Sequence, residues 1–337
     1  MCSRMLYTIL PSPYSDENLN DVLEDLSSDL LSLYREWWDV KDAVKNIAPN
    51  HDPGDVFKPG WVSPLRNLPT ADDPKYIRID PAHTYAIDGI GKSYLASSII
   101  LLMHMGWFGN GPIDDKFKNA FSRFMAYCEA HGKNTSITEF SHKVFKLPQN
   151  SLNGYPAGLG KGHDAAVVSA WLDEELCSAP ATFAGPQFNE LLEVLRWSSN
   201  GINRFWRLQY NAGLWVTRAD TELLVRDCFI FCDEYSTLAT LCARAGYPLF
   251  KIRPKLHMMC HLGLDLKHAL LQYPDAQWFL SISTYMTWSD EDFIGRISRI
   301  SRRTSPLTAA DRTITRALAL YRRQWIATFG RAYANVD

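Results

Sequence analysis

The clearest alternation of apolar and polar positions runs from residue 16 to residue 47. Leu19, Leu23, Leu26, Leu30, Leu33, Trp37, Val40, Val44 and Ile47 recur in steps of four and three, as on one helix face. Ser15, Asp16 and Glu17 supply an N-cap and an acidic first turn. Residues 1–50 are therefore expected to be built on one long amphipathic helix, which packs on the rest of the protein or pairs with a second copy. Five prolines between Pro53 and Pro74, with Gly54 and Gly60, then predict an extended connection over 51–75. Tyr76-Ile77-Arg78-Ile79 alternates as a short strand does and would deliver Asp80 at its end, where Pro81 stops it.

Beyond that point the period is helical. Apolar positions predict helices from about Lys92 to Gly106, over 114–131, briefly around Thr138 to Val144, and from His163 through Leu176. Further helices are expected over 187–209, 218–245 and 254–272, the last opened by Pro254. A final helix from about Pro306 to Gly330 carries Ile314, Leu318, Tyr321, Trp325 and Phe329 as its apolar stripe, with Arg312, Arg316 and Arg323 opposite. The fold class read from this pattern is mainly α, a large helical body over 76–337 with at most a small β-sheet. Scattered tryptophans at helical spacing belong to its core.

Composition changes that picture little. An apolar share of 46% over 337 residues suffices for a sizeable core. Seven cysteines without paired spacing argue for reduced thiols in an intracellular compartment. The longest apolar run, near Ala96 to Met105, is broken by Ser97, Ser98 and His104, so no membrane span is expected. Charge is more informative in its distribution than in its net value of -2. Residues 16–29 hold six acids and no base, whereas 296–331 hold nine arginines against the single acid Asp311. That basic footprint points to nucleic acid.

Three stretches carry candidate chemistry. In the first, Trp288-Ser289-Asp290-Glu291-Asp292-Phe293-Ile294-Gly295-Arg296 runs three acids into a helix bearing Arg296, Arg299, Arg302 and Arg303. Carboxylates can hold a divalent cation and arginines can neutralise phosphates beside it, although acids also suit any helix start. In the second, Ala86-Ile87-Asp88-Gly89-Ile90-Gly91-Lys92-Ser93 has a relaxed phosphate-loop spelling. With Asp233 as magnesium acid it would define an NTPase; otherwise it is a glycine turn entering a helix. In the third, His257 and His261 stand one helical turn apart with His268 on the same face. That is metal-ligand spacing, but without a third ligand it reads as core or interface histidines.

Two patches together resemble a family. Ile79-Asp80-Pro81-Ala82-His83 before an apolar helix is similar to the Asp-x-x-His step of eukaryotic cut-and-paste transposases of the CACTA type. Lys255-Leu256-His257-Met258-Met259-Cys260-His261 followed by the Trp288–Arg296 stretch is similar to the C-terminal side of those enzymes. The resemblance implies a ribonuclease-H-like core in which three acids bind two magnesium ions, interrupted by a helical insertion. Asp80 would be the second acid, 92–250 the insertion, and Glu291, or alternatively Asp292, the third acid. Asp80 and Glu291 would then share Mg2+, while His83, His257 and His261 would be structural. Residues 1–75 offer no match for the first acid. The resemblance therefore implies a truncated core with an incomplete two-metal site, in a DNA-binding protein inactive in strand transfer and working in the nucleus. The remaining alternatives are the NTPase using Lys92, Ser93 and Asp233, and a helical interaction protein without chemistry.

Overall fold

The computed structural model describes residues 78–178, 188–305, 308 and 312–323, without the side chains of Ser289, Asp290 and Glu291. The expected helix over 16–47, its self-association and the 51–75 connection lie outside the described residues. The chain divides into two compact units at Thr287/Trp288, a boundary that sequence pattern does not mark.

The first unit, Ile79–Thr287, is the helical body. It contains α1 (Pro81–Tyr85), α2 (Ile90–His104), α3 (Ile113–Ala130), α4 (His142–Phe145), α5 (Gly162–Cys177) and α6 (Asn189–Asn211). There follow β1 (Trp215–Thr217), α7 (Arg218–Arg244), α8 (Pro254–Gln272), β2 (Trp278–Leu280) and a 3-10 turn at Ile282–Tyr285. The mainly α reading and the small sheet both hold. That sheet is a two-stranded antiparallel ribbon pairing Trp215 with Leu280, Val216 with Phe279 and Thr217 with Trp278. Val216 and Phe279 are buried, whereas Trp215 and Trp278 are 55% and 61% exposed.

The expected strand before Asp80 is absent from Arg78–Asp80, which are not part of any sheet; Tyr76 and Ile77 lie outside the described residues. The reason is local. Asp80 N-caps α1, accepting from the backbone N–H groups of Ala82 and His83, and Pro81 takes the first helical position, where its missing N–H costs nothing. A cap competes with strand geometry, and here it has hydrogen bonds that a lone three-residue strand would lack.

Helix α2 is apolar on every side, and residues Leu95 to Met103 are fully or almost fully buried. Such a helix belongs in a core. The span Pro81–His104 is long and apolar enough to match a membrane span, and 83% of its apolar 18-residue window is buried inside the protein. Around α2 the aromatic rings form two groups. Tyr85, Trp206, Phe231, Tyr94, Tyr235 and Phe250 meet at centroid distances of 5.1–6.2 Å. Phe117, Phe124, Phe140, Phe145 and Trp171 form the other. The edge-to-face pairs among them add roughly 0.5–1.5 kcal/mol each beyond their burial.

Helix α7 packs between α6 and α8, and a glycine permits each approach. A Cβ at Gly201 would stand 3.2 Å from Ile230 Cγ2 and 3.3 Å from the Asp227 carbonyl; one at Gly263 would stand 3.0 Å from Cys228 Sγ. At the same crossing the fully buried Asp227 accepts from Arg204 Nε at 3.0 Å and Nη2 at 2.5 Å. This bidentate pair compensates a carboxylate taken out of water.

Asp164, 0% exposed, does similar work at the start of α5. It accepts from Lys161 N, Thr135 Oγ1, Ser136 N and Ser136 Oγ at 2.5–2.8 Å. Burial pushes its pKa up, but these bonds outweigh burial and hold it below the ordinary value. They also anchor the loop before α5, where Gly160 has φ +50° and a Cβ would strike Asp164 and Ile137.

The second unit contains α9 (Trp288–Ser301) and a helical run over 312–323. The apolar stripe expected on the latter is rotated. Thr313 and Ala317 are the buried positions, while Leu318 is 54% and Tyr321 36% exposed. Small residues at 313 and 317, one turn apart, allow close packing that Leu318 would obstruct. Trp325 and Phe329 lie outside the described residues.

Two stability measurements follow. Asp164→Ala, which strands several buried donors, is expected to cost about 3 kcal/mol in urea unfolding, while Asp173→Ala, a half-buried acid, costs less. An Asp164→Ala protein as stable as wild type contradicts the anchoring role. His104, in tilted contact with Tyr247, has its pKa lowered by burial first and by Lys116 second. The unfolded chain therefore binds a proton at this site more readily, so stability falls as pH drops through the ordinary histidine value of 6.5. His104→Gln should flatten that part of the stability-pH curve.

Candidate functional site

Two of the stretches singled out in the sequence, Ile79–His83 and Lys255–His261, meet in space. Helix α1, entered through Asp80, packs on α8, which begins two residues before Leu256, although 170 residues of chain separate them. Their junction is organised by Asp80. Its Oδ1 accepts from Ala82 N at 2.9 Å and Thr287 N at 3.3 Å. Its Oδ2 accepts from His83 N at 3.4 Å, His83 Nδ1 at 2.5 Å and Thr287 Oγ1 at 2.6 Å. Because a carboxylate only accepts, the His83 proton in this bond resides on Nδ1. Burial raises the Asp80 pKa, but the bonds from Thr287, His83 and the two backbone amides outweigh it and hold the carboxyl below its ordinary value.

This occupancy bears on magnesium. A two-metal clamp needs carboxylate oxygens turned toward the ions. Both Asp80 oxygens are already spent on protein donors. Asp292, the alternative third acid, is paired with Arg296 at 2.7 Å. Glu291 lies in α9 with its side chain outside the described residues. Among the described residues no group of three His, Cys, Asp or Glu is arranged to hold a metal ion. In the described donor set both Asp80 and Asp292 have protein partners.

The glycine turn is realised as a turn. Asp88 has φ +49°, Gly89 is the N-cap of α2, and a Cβ there would lie 2.2 Å from the Tyr85 carbonyl oxygen, so only glycine fits. Helix α1, not a strand, precedes this turn, and Asp233 lies in the middle of α7 rather than at a strand end. Lys92 Nζ reaches back to Asp88 Oδ1 at 3.0 Å. His257 and His261 are not core residues: their Nε2 atoms lie 3.0 Å apart on the outer side of α8, and His268 is exposed. His261 follows His257 by one turn and His268 follows by two more, and their surface position sets aside the core reading while leaving the interface one.

The arginines gather in the second unit. A cleft of about 840 Å³ lies between α9 and the 312–323 run, bordered by Arg296, Arg299, Arg303, Arg316 and Arg323 over Ile297, Ile300, Ala317, Leu320 and Tyr321. No acid is among its described lining residues. Phe293 and Tyr321 hold the two helices together with ring centroids 5.5 Å apart. Arg302 and Arg312 are exposed and do not line the cleft. Arg302 instead caps α9 through the Ser298 carbonyl. Sequence spacing identified the arginines but not their common cleft. Thr287 escaped it altogether, because a threonine 207 residues from its partner leaves no local signal.

No family model matches this chain, and neither a curated protein nor a solved structure is significantly similar to it. What fold and sites define is a mainly helical protein with a clasped acidic junction and an arginine-lined cleft.

The clasp can be measured. A double-mutant cycle of Asp80→Asn and Thr287→Val is expected to give a coupling of about 1–2 kcal/mol at neutral pH. Because the folded pKa of Asp80 is depressed, its contribution is complete above the ordinary value of 3.8 and is lost as pH falls through the lower folded value. Additive single mutants would show that the two residues do not act as a pair.

Proposed function

We propose that this protein binds nucleic acid and derives from a CACTA-type transposase whose two-metal acidic set is incomplete, leaving it without strand-transfer activity. The observation that carries the reading is the arginine-lined cleft. Five guanidinium groups around one concavity of about 840 Å³, without an acid in its described lining, suit a polyanion whose phosphates recur along a backbone. Arginine in particular pairs with phosphate through two parallel N–H groups.

In this reading Asp80 and His83 descend from the acid step of a ribonuclease-H-like core, and the helices over 92–250 from its insertion. The carboxylate that once faced a metal now closes the helical body. The protein would work inside the cell, in the nucleus where its DNA lies. A coordinating role for magnesium would need Glu291 and an acid that 1–75 does not provide, so no catalytic step is assigned to it.

Duplex DNA binding measured by anisotropy across a salt series tests this. Replacing Arg299, Arg316 and Arg323 by alanine should reduce the slope of log affinity against log salt by about 2.7, whereas Arg312→Ala should change it far less. Absence of binding at low salt would move the protein to the non-enzymatic interaction class. Magnesium-dependent nicking is expected to be negligible. Robust nicking that disappears in Glu291→Gln would show the acidic set to be complete.

A further inference from the structure

A second cationic cluster lies in the helical body, where α2 begins. Lys255 Nζ donates to the Asp88 carbonyl at 3.0 Å, Lys92 Nζ to Asp88 Oδ1 at 3.0 Å, and Arg253 Nη1 approaches Ser93 Oγ at 3.4 Å. Lys146 is near enough to act electrostatically on Asp88. These side chains come from three separated parts of the chain, so their convergence is a product of the fold. Four cations meet two acids, Asp88 and Asp80. The crowding is felt at Lys255, whose pKa is lowered by burial first and by Arg253 next, with Lys92 adding and the two acids opposing.

Lys92 is 13% exposed, with its ammonium at the mouth of the turn, while the Asp88 side chain that meets it is 82% exposed. An ion pair with so exposed a carboxylate is weak and easily exchanged. We propose that Lys92, Arg253 and Lys255 form a phosphate-binding site in which the exposed Asp88 carboxylate serves as a displaceable internal anion. A phosphate group entering here exchanges one carboxylate for an anion of higher charge, and it meets ammonium and guanidinium donors already held by Asp88 and Ser93. The phosphate can belong to a nucleic-acid backbone or to a free phosphate compound, since both present the same oxygens to these donors.

The site is independent of the arginine cleft, and its test is made so. In the full chain carrying Arg299→Ala, Arg316→Ala and Arg323→Ala, pyrophosphate binding is measured by calorimetry. Saturable binding is expected, several-fold tighter in Asp88→Asn and roughly tenfold weaker in Lys255→Gln, which keeps a donor for the Asp88 carbonyl and so preserves the turn. Competition by a 5′-phosphorylated oligonucleotide, but not by its unphosphorylated form, assigns the site to a nucleic-acid end; absence of competition assigns it to a free phosphate compound. Lack of saturable binding in both the parent and Asp88→Asn, or an affinity indifferent to Lys255→Gln, overturns the proposal. The cleft keeps Arg296 and Arg303 in this background, so it is the response to Asp88→Asn and Lys255→Gln that assigns the binding to this site.

Discussion

The helical body depends on Asp80. Its carboxylate caps α1, fixes His83 and accepts two hydrogen bonds from Thr287, so the second residue of the Ile79–Thr287 unit is fastened to its last. Fastening the two ends of a unit this long restrains both entry and exit of the chain. The cost is chemical: a carboxylate whose oxygens are all engaged is a poor metal ligand. The bonds from Thr287, His83 and the backbone amides outweigh burial and keep the carboxyl ionised.

Inside that clasp the core is unusual in how much polarity it tolerates. Asp164 and Asp227 are fully buried, yet the first is matched by donors from Lys161 and from the distant Thr135 and Ser136, and the second by an arginine fork. Tyr94 OH meets Ser198 Oγ at 2.7 Å, and Ser97 Oγ accepts from Phe250 N at 2.9 Å. These bonds tie α2 to α6 and to the loop before α8 with a directionality that aromatic packing alone lacks. Apolar burial supplies the driving force, and the buried polar contacts select one arrangement among the many that would bury the same rings.

Positive charge is likewise concentrated by folding rather than by composition. With a net charge of -2 the chain as a whole has no basic character. Two local excesses nevertheless arise, the cleft beside α9 and the cluster at the start of α2, each assembled from segments distant in the chain or separated by a turn.

Helix existence was legible in the sequence, because a period of 3.6 is a local property. Pro254 opens α8, Thr217 caps α7, and the expected and observed spans of α3, α6 and α7 differ by two residues or fewer at each end. The facing of the helices was less legible: on the 312–323 run Thr313 and Ala317 are the buried positions, not Leu318 and Tyr321 of the expected stripe. At Arg78–Asp80 the local cap of Asp80 on the following helix stands where the end of a strand was expected. Which side of a helix is buried, and whether an aspartate faces a metal or a threonine, depends on what another segment brings to it. Thr287, Arg253 and Lys255 reach their partners across 160 residues or more. Periodicity carries no information over that distance, so the sequence by itself determined the elements and the residue types available, and only tertiary packing decided which of them meet.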